Sequence, residues 1–340
     1  MPDSNEIFYR YPEFSNSAPA QNGGRMIAKK VTSMQRNAML PAITRENRTS
    51  GVTNYRKFFT HFTNADNEIF REVYVFNSLP TTANDSIFLV KGAALDTQES
   101  VEGEQVYGAG FLHEDVSANA TVIKAACETS TPVFQAGGKI VVGRMVSGTL
   151  HDYDIKTISS VTYAGTVAEI TLNEGVNNSY SSEKIETDGV PTDYCIVASL
   201  VEYGDIKATI TGLSNTSANG VINESLIGLD QLGVVDQTWT LTFNSSTTFT
   251  VMGDTLGDLG LTGNVSAETA PLNNDFSVDR TARYFTIPPT AFSGSFFSGN
   301  AITFTTNSAT APWWVKNVVE PNTAAFSNNN FAFKALASSD

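Results

Sequence analysis

The sequence predicts an all-β protein made of β-sandwich or barrel domains, with an extended N-terminal arm and very little helix. Three observations carry that prediction. Charged residues make up only 16% of the chain while Ser, Thr, Asn and Gly are abundant, a composition that suits exposed strand faces and turns better than solvent-facing helices. Strand-length segments alternate apolar and polar residues, as in QTWTLTF at 237–243. Gly, Asn, Asp and Pro punctuate these segments at short spacing, the pattern of sandwiches and barrels. At 340 residues the chain is long enough for two or three domains, each with its own core.

Taken in order, residues 1–25 hold Pro2, Pro12, Pro19 and the polar run SNSAPAQNGG. Their aromatic residues, Phe8, Tyr9, Tyr11 and Phe14, follow no sustained period, which reads as an extended arm. The arm region runs to residue 54 and includes one possible short helix around Lys29 to Met39, ended by Pro41. From Tyr55, the segments YRKFFTHFTN, EIFREVYVFN and DSIFLVKGAAL read as three strands of a main sandwich body. This body is expected to comprise residues 55–118 and 199–340.

Residues 119–198 read as an inserted small β domain. ATVIKAAC, VFQAGGKIVVGRM, YDIKTISSVTYAGTVAEITLNEGV and DYCIVASL are short strands joined by tight turns. EYGDIKATITGL then resembles a return to the first body, and inserted domains keep their ends close together. The last stretch, with QTWTLTFNSSTTFTVMG, ARYFTIPPTAF, NAITFTTN and APWWVKNVV, repeats the strand-and-turn grammar. No repeat of fixed period occurs, so a propeller or solenoid is not supported.

The net charge of −14 sets the bulk surface against the phosphate backbone, so direct nucleic-acid recognition is not expected. The charge is uneven: residues 1–60 hold nine cations against four acids, a net +5 that leaves −19 on the other 280 residues. A basic head on an acidic body can pair between neighbouring copies, or it can be a solvated basic turn with no partner. Phe8, Tyr9, Tyr11 and Phe14 as apolar anchors, with Arg25, Lys29, Lys30 and Arg36 setting register, are therefore candidate contacts between subunits. Trp313 and Trp314 join them, since adjacent strand residues point to opposite faces, putting one in the core and one at an interface.

Catalytic chemistry finds little purchase, and no cofactor is expected. His61, His113 and His151 fall in no HExxH or HxH pattern. Asp152 and Asp154 beside His151 lack the Gly and the distal Glu of a calcium loop and read as a solvated hairpin tip. Asp254 and Asp258 suit turns equally well. Neither GxSxG nor GxxxxGK[ST] is present. A glycosidase would need two carboxylates about 5 to 9.5 Å apart, which sequence spacing does not reveal. Cys127 and Cys195 are too few for a disulfide framework and read as small core residues. No run of eighteen apolar residues and no secretory n- and h-region occur, so a chain without membrane contact or secretory signal is expected.

One long run carries a resemblance. Arg48, Gly51, Thr53, Tyr55, Arg56, Lys57 and Phe59 are followed by Pro80, Thr81, Asp85, Ile87 and Leu89, and then by Asp96, Thr97 and Gln98. With YGAGFLHEDVSANAT, VFQAGGKIVVG and DQTWTLTFNSSTTFTVMGDTLG, this pattern resembles structural proteins encoded among the head and tail genes of contractile-tailed, Mu-like bacteriophages. The resemblance extends over most of residues 26–320; residues 1–25 match nothing in it, and the Asn-rich tail after Pro321 is less distinctive. It implies a non-catalytic virion component of the neck, collar or tail, forming homo-oligomeric rings with other virion structural proteins as partners. The rival expectation is a surface receptor- or glycan-binding module with Trp313 and Trp314 as its platform.

Overall fold

The computed structural model describes residues 6–33, 35–64, 66–277, 281–326 and 329–339. Nearly all regular structure in them is β. The chain opens with β1 (Ile7–Phe14), β2 (Gly23–Lys30), a six-residue helix α1 (Arg45–Ser50), β3 (Val52–Phe62), β4 (Phe70–Leu79), β5 (Ser86–Lys91) and β6 (Val106–Tyr107). It continues with β7 (Ala109–Leu112), β8 (Val122–Cys127), β9 (Lys139–Val146), β10 (Thr149–Ala164), β11 (Val167–Leu172), β12 (Ile185–Thr187) and β13 (Val190–Ser199). The last part holds β14 (Val201–Ile206), β15 (Thr209–Asn215), β16 (Gly220–Ile222), β17 (Gln237–Phe243), β18 (Thr248–Gly253) and β19 (Gly257–Asn264). It ends with β20 (Phe292–Gly294), β21 (Ala301–Asn307), β22 (Thr310–Val319) and β23 (Ala332–Ser339).

These strands form a six-stranded sheet in the order β2-β1-β3-β22-β5-β6, a three-stranded sheet β14-β4-β23 and a five-stranded sheet β15-β21-β17-β18-β19. β16 and β20 make a separate ribbon. Strands β13-β7-β8-β11-β10-β9 close on themselves through the β9–β13 pairing, giving a six-stranded antiparallel barrel with β12 attached. The barrel begins at Ala109, ahead of the expected boundary at 119, because β7 supplies the stave between β13 and β8.

Successive apolar cores join these layers. Ile123, Ile140, Val142, Ile158, Ile170 and Val197 fill the barrel. On its outer wall Val141, Met145, Tyr194 and Ile196 meet Tyr74 and Phe76 of β4. Val73 and Val75, on the opposite face of β4, pack on Phe58, Phe62, Trp313 and Val315 of the six-stranded sheet. Phe59 and Met26, on the far side of that sheet, reach the core of the five-stranded sheet around Trp239 and Phe285. Strands such as β4 and β9 are thus covered on both faces, which is why EVYVF and KIVVG read as continuous apolar runs.

Two sequence expectations are corrected here. Residues 7–14 and 23–30 are strands and not a detached arm: β1 pairs with β3 from Ile7↔Phe62 to Arg10↔Phe59, and β2 forms the sheet edge beyond it. The aromatic beads lacked a period because bulges near Pro12 break the β1–β2 register. Among the described residues of 29–39 there is no helix as expected; Lys29 and Lys30 end β2, and a helix instead forms as α1, opened by a capping box between Thr44 and Asn47.

Candidate functional site

Three polar knots tie the strands together, and Lys57, Thr81, Asp85, Asp96 and Gln98 take part in two of them. In the first, Lys57 on β3 is fully buried, pairs with Asp96 at 2.6 Å and donates to the carbonyls of Gly24 at 2.8 Å and Ala94 at 3.0 Å. Directly across from Lys57, Trp314 donates its indole N–H to the same carboxylate at 3.2 Å. Burial pushes the Lys57 ammonium down, and Asp96 opposes that shift. Gln98 accepts from Asn22 Nδ2 at 2.8 Å, so the sequence DTQ binds the start of β2. Only glycine fits at position 23, where φ is +126° and an added Cβ would lie 2.4 Å from the Asp96 carbonyl oxygen.

In the second knot, Arg10 Nε donates to His61 Nδ1 at 2.8 Å, and His61 Nε2 lies 2.8 Å from the Gln231 carbonyl oxygen. With Nδ1 accepting, the hydrogen of this imidazole sits on Nε2, fixing one tautomer. Both side chains are buried, so His61 acts as a bracket between β1, β3 and the loop before β17.

The third knot lies where the barrel meets the six-stranded sheet. Asp85 accepts from Thr81 Oγ1 at 2.6 Å, Asn329 Nδ2 at 2.9 Å and Asn317 Nδ2 at 2.7 Å. Glu128 carries its carboxyl just past β8. Burial, with Asp85 nearby, pushes that carboxyl up to about 9. Glu128 Oε1 and Asn317 Oδ1 are both sealed from solvent without a hydrogen-bond partner. Nothing in the sequence singled out Glu128 or Asn317, because the knot is assembled from segments far apart in the chain.

The candidate subunit contacts are largely used up within the chain. Lys30 sits 3.7 Å and Arg10 5.5 Å from the Phe8 ring centre, and Lys29 lies 4.8 Å from that of Tyr11. Arg25 pairs with Glu13 at 3.4 Å. Tyr9 packs edge-on against Trp313, and its burial raises the phenol to about 12. Trp313 and Trp314 are both 0% exposed, which corrects the expectation that one is interfacial. β22 lies inside its sheet with layers on either side, so opposite faces both lead into cores. The sugar-stacking platform expected of these two residues is therefore not present. Phe14 is 53% exposed, and Lys29 and Arg36 are exposed.

The remaining candidates are resolved by local geometry. Asp154 is 3% exposed and corrects the solvated-tip expectation. Burial alone would raise its carboxyl, but bonds from Tyr180 Oη at 2.7 Å and the N–H groups of Asn177 and Asn178 hold it below the usual range. Asp254 and Asp258 accept N–H bonds within their own turns. His113 and His151 are exposed, and no three His, Cys, Asp or Glu side chains converge as a ligand set among the described residues. A cavity of about 380 Å³ opens on the barrel wall beside Arg144, Asp193, Tyr180 and Cys195. Arg144 lines it, held by Asp193 at 2.6 and 2.9 Å.

No helix of the described residues is long and apolar enough to cross a membrane. Compared with known proteins, the chain matches no family model, no curated protein and no solved structure.

Proposed function

We propose that this chain is a non-catalytic structural protein of a tailed-bacteriophage particle, an oligomeric component of its neck, collar or tail assembled in the host cytoplasm. The observation that carries the reading is where the phage-like residues go. Lys57, Asp96 and Gln98 spend their polar groups on tying segments of the six-stranded sheet together, and Asp85 ties the turn before β5 to β22 and to the segment before β23. That is the work of an architectural protein, in which recurrent polar residues fix strand positions.

Copies meet, in this reading, through what the fold leaves on its surface. Phe14 supplies an apolar anchor and Lys29 and Arg36 supply charge toward the acidic body of a neighbour, since complementarity sets partner choice and register. Ring symmetry follows if the contact is head-to-tail and closes. Light scattering of the full-length chain at low and high salt, with negative-stain imaging, tests it. Rings or tubes that loosen in high salt support the proposal. A monomer at every salt and concentration, alone and with tail or neck extracts, overturns it.

A further inference from the structure

We propose that Lys57 and Asp96 condense with each other into an intramolecular amide bond, a covalent tie between the middle of β3 and the loop after β5. The ion pair between them is the unreacted form. Nζ lies 2.6 Å from Asp96 Oδ1, which places the carboxyl carbon, one C–O bond further on, within about 3.9 Å of the nitrogen. Both side chains are sealed, Lys57 at 0% and Asp96 at 9% exposure, so the two groups are held together and bulk water is kept from the reacting atoms.

The contact does not have the form of an ordinary ion pair. The three hydrogens of the ammonium have acceptors in the carbonyls of Gly24 at 2.8 Å, Ala94 at 3.0 Å and Asp96 itself at 3.2 Å. Asp96 Oδ1 is buried without a hydrogen-bond partner, although Nζ is so close to it. Oδ2, by contrast, receives two N–H groups, from Ala93 at 2.9 Å and from the Trp314 indole at 3.2 Å. One carboxyl oxygen is thus bare beside the nitrogen, and the other sits between donors that stabilise negative charge, as in an oxyanion hole. The Phe59 and Trp314 rings lie 4.9 and 5.9 Å from Nζ. Burial lowers the Lys57 ammonium, which favours the neutral amine that acts as a nucleophile.

The reaction balances without a further reactant. One ammonium proton passes from Nζ to Oδ1, leaving a neutral amine and a neutral carboxylic acid, the forms that an apolar site favours. The amine lone pair attacks Cγ and forms the C–N bond, while negative charge collects on Oδ2 between the Ala93 and Trp314 N–H groups. A second proton passes from Nζ to Oδ1, the Cγ–Oδ1 bond breaks with its electron pair, and one water leaves as Oδ2 regains its double bond. The product amide carries no charge, so the desolvation cost of two buried ions is removed. Residues 57 to 96 then form a closed loop that persists in the unfolded chain and lowers its entropy, as other cross-links do.

The test is the intact mass of the purified full-length chain in denaturant, with peptide mapping by tandem mass spectrometry. The expected result is a chain one water lighter than its sequence, and a branched peptide joining the segments around Lys57 and Asp96. Lys57→Arg keeps the cation and Asp96→Ala removes the carboxyl carbon under attack; each is expected to restore the full sequence mass. Trp314→Phe takes one donor from Oδ2 and is expected to slow the loss of water about tenfold or more in freshly made protein. The wild-type mass decides the question whether or not a variant folds. A folded wild-type chain of full sequence mass, both fresh and after prolonged storage, overturns the proposal. A loss of water that maps to any other residue, such as a succinimide at another aspartate, overturns it as well.

Discussion

Lys57 is buried in the interior, where desolvation lowers its pKa, and its surroundings oppose that shift. Asp96 neutralises it, backbone carbonyls accept its remaining hydrogens, and the Phe59 and Trp314 rings lie 4.9 and 5.9 Å away. Lys57→Ala leaves Asp96 without its counter-charge inside the protein and is expected to cost about 3–5 kcal/mol in urea unfolding, as breaking buried pairs does. A loss under about 1 kcal/mol would mean that water reaches the carboxylate. Asp236 shows the reverse cost: burial raises its carboxyl despite bonds from Ser308 and the nearby Lys57. A raised carboxyl keeps its proton longer folded than unfolded, so its contribution to stability is largest below the ordinary carboxyl range. That contribution is lost as pH rises through the folded value. Asp236→Asn removes this dependence, so the variant's stability relative to wild type should climb from pH 4 toward neutrality in parallel melts. A constant difference across that range would show that Asp236 titrates as an ordinary carboxyl.

Among the elements, β1 and β22 differ most from what their sequences suggest. β1 contains Pro12 and exposed-looking aromatics, yet Arg10 at its centre is 2% exposed and β1 is bonded to β3 over four residue pairs. Deleting residues 1–14 is therefore expected to lower the melting temperature sharply and expose the β3 edge. A truncated chain that melts like the full-length protein would return those residues to the status of an arm. β2 at the sheet edge carries Arg25, Lys29 and Lys30, the charged residues that discourage strand pairing between molecules. In β22, the Trp313 indole donates to Thr60 at 3.1 Å while its ring meets Tyr9, Phe58 and Phe333. Trp313→Ala should cost about 3–5 kcal/mol, as large-to-small changes in full cores do. A change confined to oligomerisation with unaltered stability would contradict that burial.

At the scale of the molecule, four layers share three intervening cores, and the barrel sits at one end of the stack. Assembly through Phe14, Lys29 and Arg36 predicts that Lys29→Glu with Arg36→Glu shifts light-scattering mass toward the monomer while leaving the melting temperature within a degree or so; unchanged mass would move the contact elsewhere. The all-β class was legible in the sequence because strand alternation and turn residues are local signals, visible in QTWTLTF and in AGG alike. The knots built on Lys57 and Asp85 were marked by a pattern of residues, but not their meaning, because Asp96, Trp314 and Glu128 reach them only through strand pairing across the chain. By itself the sequence determined the all-β class, such strands as 237–243 and 301–307, and that its charges divide into a basic head and an acidic body. Only the tertiary structure decided that the head is woven into a sheet, that both adjacent tryptophans are interior, and that a barrel closes at Ala109. Each of these depends on which strands pair and which layer covers their second face, and that is set by contacts between residues tens to hundreds of positions apart.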